Sequence, residues 1–83
     1  MTNVNVKQSA KIAGLYRNTK LYKAMTSYHA CELAEGFGEG EGADTDSILT
    51  AWQWLHDTKT AYSLQGFYGR ACRDLIESGS IAK

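Results

Sequence analysis

Eighty-three residues, 43% hydrophobic and 22% charged, give an ordinary globular composition and exclude wholesale disorder. A chain this short buries only about 60% of its unfolded surface, so its stability is modest and oligomerisation is one route to more buried area. The net charge of zero excludes the strongly basic balance of a typical nucleic-acid-binding domain.

The neutral total hides an uneven distribution. Residues 1–31 carry Lys7, Lys11, Arg17, Lys20 and Lys23 and no acid, whereas residues 32–57 carry seven acids and no Lys or Arg. A basic end and an acidic middle can each steer a partner of opposite sign, or neutralise one another across the fold. Cys31 and Cys72 lie in apolar helical contexts and read as small buried hydrophobes in a reducing compartment. No apolar run marks a signal peptide and no stretch approaches the ~20 apolar residues of a membrane span, so the expectation is a cytosolic protein with no membrane partner.

In chain order, residues 1–18 give the weakest signal. Ile12 and Tyr16 stand at helical spacing, but Gly14 lowers helix propensity, which leaves a mobile arm or a marginal helix docking through Ile12, Leu15 and Tyr16. Residues 19–35 read as one helix capped by Thr19, with Leu21, Tyr22, Met25, Tyr28, His29 and Leu33 on a wide apolar arc and Gly36 as its left-handed stop. Glycine at every second position from 36 to 42 predicts a flexible acidic loop, with Phe37 a candidate anchor to the core.

Asp44 or Thr45 then caps a helix over residues 46–57, whose stripe is Ile48, Ala51, Trp52 and Leu55. Trp54 and Gln53 lie off that stripe. A tight corner near Thr58 leads to a helix over 59–78 with Ala61, Leu64, Tyr68, Ala71, Cys72, Leu75 and Ile76 on its apolar face and Arg70 opposite. Gly79 stops it, and residues 80–83 read as a tail. The expected fold is all-α: a small three- to four-helix bundle with a Gly/Glu-rich loop between the first and second main helices, its domain spanning 19–79.

Little in this pattern carries chemistry. The acidic loop lacks the ligand spacing of a calcium loop, and acids stand where a phosphate-binding loop needs Lys followed by Ser or Thr. His29, His56 and the two cysteines form no zinc-spaced pair. No catalytic residue, metal or cofactor is therefore expected. Nucleic acid is disfavoured as well, because Arg70 and Arg73 stand late in the only helix placed to read bases.

Five residues remain once the core is assigned. Trp54 and Phe67 project from their helices' stripes, Gly66 and Gly69 allow a backbone to approach at a propensity cost of about 2 kcal/mol, and Arg70 is of a type that dominates interfaces. Trp54, Gly66, Phe67, Gly69 and Arg70 are thus the candidate partner-binding set. Glu39, Glu41, Asp44 and Asp46 would steer the partner electrostatically, unless the N-terminal segment covers this surface within the monomer.

The motif Ala51-Trp52-Gln53-x-Leu55-x-Asp57-Thr58, followed by Leu64-Gln65-Gly66-x-Tyr68-Gly69-Arg70 and Leu75-Ile76-x-x-Gly79, resembles a family of small bacteriophage proteins with no agreed activity. The resemblance covers about residues 44–79, and Lys59 stands where the family pattern has glycine. It implies a phage product acting in the host cytoplasm. The leading expectation is a non-enzymatic protein, able to form a homo-oligomer, that binds and modulates or inhibits a host macromolecular machine such as a defence complex or polymerase. The alternative is an oligomeric sponge for anionic nucleotides, with Arg70, Arg73 and tyrosines lining a pocket between subunits. A DNA-binding regulator ranks third.

Overall fold

Caps and chain breaks divide the sequence into shorter helices than its periodicity predicts. A computed structural model describes residues 16–83, so the arm expected over 1–18 falls outside the described residues except for its last three. The described residues contain no strand and four α-helices: α1 (Lys20–Lys23), α2 (Ser27–Glu35), α3 (Thr45–Asp57) and α4 (Gly66–Glu77). The all-α expectation holds. Two 3-10 turns, Gly38–Gly40 and Thr60–Ser63, complete the regular structure.

Each start has a local cause. Thr19 Oγ1 accepts from the Tyr22 amide at 3.0 Å, Thr26 Oγ1 from the His29 amide at 3.2 Å, and Asp44 Oδ1 from the Ser47 amide at 2.8 Å. The second of these caps explains why residues 19–35 are not one helix. Thr26 competes for backbone amides and begins a new helix, while Met25 turns inward to the core. The break resets the helical phase. Ala30 and Leu33 become the buried residues of α2, and Tyr28, expected on the apolar arc, is exposed.

A second break falls at residues 64–65. Leu64 is extended, which leaves it outside the core face expected of it and makes Gly66 the first residue of α4. A first-turn glycine costs a helix less than an interior one, so only Gly69 bears the full propensity penalty. Its Cα faces the Tyr62 ring: a Cβ there would stand 3.4 Å from Cδ1, an ordinary van der Waals contact.

The core joins Met25, Ala30 and Leu33 to Ala51, Trp52 and Leu55 of α3, then to Ala61, Tyr68, Cys72 and Ile81. Tyr68 ties α4 to both neighbours, packing its ring 5.6 Å from that of Trp52 and donating its hydroxyl to Glu35 at the end of α2. Ile81 corrects the expectation of a tail, since it is buried. The Gly/Glu-rich loop is likewise more ordered than its composition predicts. Its turn lies so close to α2 that a Cβ at Gly40 would overlap the Glu32 carbonyl. Phe37 does not reach the core; it stays exposed and packs edge-on against Tyr28, with centroids 6.2 Å apart.

Candidate anion-binding cleft

Helix α4 has two chemically different faces. Tyr68 and Cys72 point inward, while Gly66, Gly69, Arg70, Arg73, Ile76 and Glu77 share a stripe on the other side. That stripe lines a cleft of about 610 Å³, completed by His56 from the end of α3, Tyr62 from the following 3-10 turn, and Lys83.

The stripe's cations are uncommitted. Among the described residues the ion pairs are Arg17–Asp57 and His29–Glu39, so neither Arg70 nor Arg73 has a carboxylate partner within salt-bridge distance. Gly66 has a further role here. A Cβ at that position would lie 3.0 Å from an Arg70 terminal nitrogen, so the guanidinium folds back over the start of α4. Gln65, which precedes the helix, makes no side-chain capping bond, leaving that start to other acceptors.

His56 and Tyr62 stand as a hydrogen-bonded pair, Nδ1 to hydroxyl at 2.6 Å, with the tautomer deciding which group donates. Burial first, then the charges of Lys59 and Arg17, hold the imidazole below its ordinary value despite the opposing influence of Asp57. His56 is therefore neutral at pH 7 and contributes polarity more than charge. Burial pushes the Cys72 thiol up to about 11, so it stays protonated and unreactive.

Lys83 reaches the cleft because the C-terminal segment is clamped. The Gln53 side chain, fully buried, pairs with the Ala82 backbone twice: its Nε2 donates to the carbonyl at 3.0 Å and its Oε1 accepts from the amide at 2.7 Å. The same Nε2 donates to Asp57 Oδ1 at 3.1 Å. Asp57, one turn along α3, also accepts Arg17 Nε at 2.8 Å, Arg17 Nη2 at 2.9 Å and the Tyr22 hydroxyl at 2.6 Å. Burial works to raise the Asp57 pKa, but the bonds from Arg17, Tyr22 and Gln53 together with the Arg17 charge outweigh it and hold the carboxyl below its ordinary value. Burial, then Asp57, pushes the Tyr22 phenol up to about 12.

Of the five partner-binding candidates, Gly66, Gly69 and Arg70 meet in the cleft. Trp54 does not; it is half-buried and packs against the core cluster. Phe67 is exposed outside the cleft lining, its ring 4.3 Å from that of Tyr68. The four steering acids have separate settings. Asp44 is a helix cap whose bonds from Ser47 hold its carboxyl low, Asp46 lies exposed in the first turn of α3, Glu41 is exposed, and Glu39 pairs with His29 Nε2 at 3.2 Å.

The nucleotide-pocket alternative names Arg70, Arg73 and tyrosines, and of these Arg70, Arg73 and Tyr62 line the cleft; His56 and Lys83 belong to neither expected set. Glu77 follows from its i+7 spacing to Arg70. Lys83 does not follow from spacing, because its position depends on a glutamine clamp with no local signature. Away from the cleft, His29, Glu32 and Glu39 place one donor atom each within 4.8 Å of one another, the one grouping among the described residues able to hold a metal ion. No helix among the described residues is long and apolar enough to cross a membrane. Set against known proteins, the chain matches no family model, no curated sequence and no solved structure.

Proposed function

We propose that this protein is a non-enzymatic binder whose cleft seats a small anionic ligand of the nucleotide class. The observation that carries the reading is the convergence of Arg70, Arg73 and Lys83 on one cleft, with both guanidiniums free of a carboxylate partner among the described residues and Glu77 the one acidic side chain in the lining. Guanidinium forks match phosphate oxygens in geometry as well as charge. Tyr62, half exposed, offers a ring face against which a base can stack. The volume fits small-molecule sites, which run from about 300 to 1,000 Å³. A single chain supplies the whole lining, so the pocket does not require a second subunit. Read with the phage-family resemblance, such a binder would act in the host cytoplasm by withholding its ligand.

Calorimetry against ATP, AMP, a cyclic nucleotide and adenosine tests this. Phosphate-bearing ligands should give saturable heat and adenosine none, and Arg70→Ala or Arg73→Ala should each weaken binding about tenfold or more. Absence of heat from every nucleotide overturns the proposal.

A host protein is the second reading. It rests on Leu64 and Phe67, each 40% exposed and flanking the cleft residues Tyr62 and Gly66 in the chain. Capture from host lysate should then fall with Phe67→Ala and Arg70→Ala. Undiminished capture by both variants removes that assignment.

A further inference from the structure

We propose that His29, Glu32 and Glu39 form a binding site for a divalent transition-metal ion of the zinc class, independent of the basic cleft. His29 and Glu32 stand three residues apart on α2, the spacing that brings two side chains to one side of a helix. Glu39 comes from the 3-10 turn that folds back over that helix. The three donor atoms lie within 4.8 Å of one another, and His29 Nε2 is 3.2 Å from Glu39 Oε1. Metal–ligand bonds of about 2.0–2.2 Å set donors roughly 3–4 Å apart around one ion, so small rotamer adjustments bring all three into reach.

Charge supplies a second argument. Two carboxylates share this small volume, and residues 32–57 contain no Lys or Arg to compensate them. The only ion-pair partner either has among the described residues is the His29 imidazole, which brings at most one positive charge. A divalent cation would offset the remaining repulsion.

The site is also held before any ion arrives. Gly38 adopts φ of +55°, and a Cβ there would overlap the Glu32 carboxyl, so the glycine is what lets the turn close on this side chain. The Glu39 amide donates to Glu32 Oε2 at 3.4 Å, orienting one ligand from the backbone of another. Donor chemistry selects the ion. An imidazole nitrogen with two carboxylates suits Zn²⁺, Co²⁺ or Mn²⁺, whereas Ca²⁺ calls for six to eight oxygen donors. Three protein donors leave a position open to water. The ion would pin the Gly/Glu-rich turn to the end of α2.

The test is titration of chelator-treated protein with Zn²⁺ by calorimetry, and with Co²⁺ by visible absorption, which reports coordination number. Expected are about one equivalent bound, a rise in melting temperature, and loss of about tenfold or more in affinity for both His29→Ala and Glu39→Gln. Glu41→Gln, an exposed acid outside the grouping, should bind as the parent does. Binding that survives both His29→Ala and Glu39→Gln, no saturable binding at millimolar Zn²⁺, or equal affinity for Ca²⁺ would each overturn the assignment. Circular dichroism of every variant checks that the fold persists, which the exposed turn and half-buried His29 lead one to expect.

Discussion

Arg17 and Arg70 are the same side chain in opposite circumstances. Arg17 grips Asp57 through two nitrogens, inside a network that also engages Tyr22, Gln53 and the Ala82 backbone. Arg70 lies over a glycine at the start of α4 and has no acidic partner among the described residues. The described residues leave no buried side-chain nitrogen or oxygen unpaired, so the first region has no capacity to spare for a ligand. The second has charge to offer. Satisfied polar groups mark architecture and unsatisfied cations mark a binding surface, and mutations on the two sides should separate cleanly.

The largest effect should come from Asp57→Ala, which strips four donors of their shared acceptor. Loss of one partner from a buried charged network costs about 3–5 kcal/mol. Arg17 keeps 37% of its side-chain surface in water and Asp57 18%, so we expect about 2–3 kcal/mol from urea unfolding. A loss under about 0.5 kcal/mol would mean that the network is ornamental. The same network predicts a pH dependence. Because the folded-state pKa of Asp57 is depressed, its stabilisation is complete above the ordinary value of 3.8 and drains away as pH falls through the lower, folded value. The parent should therefore lose more stability than Asp57→Asn between neutral pH and about pH 3.

Gln53→Ala comes next, at about 2 kcal/mol, since it leaves the Ala82 amide and carbonyl without their side-chain partner beside a buried Ile81. Hydrogen exchange at the Ala82 amide should accelerate. This substitution also joins the two regions: releasing the C-terminal segment withdraws Lys83 from the cleft, so nucleotide binding should weaken although Gln53 does not line it.

These two residues show how far the sequence could be read. Trp52, Leu55, Tyr68 and Cys72 follow from helical periodicity, and the core contains all four. Gln53 and Asp57 are also one helical turn apart, but a polar pair off the apolar stripe looks like solvated surface until the segments that cover it are placed. Those segments, around Arg17 and Ala82, are distant in the chain and carry no pattern of their own. The same limit applies to the site. Gly66, Gly69 and Arg70 share a helix and could be grouped from spacing alone, whereas His56, Tyr62 and Lys83 arrive through a corner and a docked terminus.

That corner offers a gain in stability. Lys59 is the one non-glycine residue at positive φ among the described residues, at +66°, immediately after the C-cap of α3. A side chain in the left-handed region costs roughly 1–2 kcal/mol, part of which glycine forfeits to greater unfolded-state freedom. Lys59→Gly should therefore stabilise the protein by about 0.5–1 kcal/mol, read as a higher urea midpoint with unchanged slope. A lower midpoint would show that the lysine itself contributes to the corner.

The smallest effect on stability should be the most informative. Arg70→Ala and Arg73→Ala remove exposed guanidiniums, without an ion-pair partner among the described residues, from a cleft wall, so each should change unfolding free energy by no more than about 0.5 kcal/mol. Because Arg70 and Arg73 are like charges on one stripe, removal of either even allows a slight gain. Urea midpoints measured at low and high salt distinguish the cases: a gain from repulsion relief shrinks as salt screens it. A loss comparable to that of Asp57→Ala would place these arginines in the architecture after all, and the contrast between the two faces would fail with it.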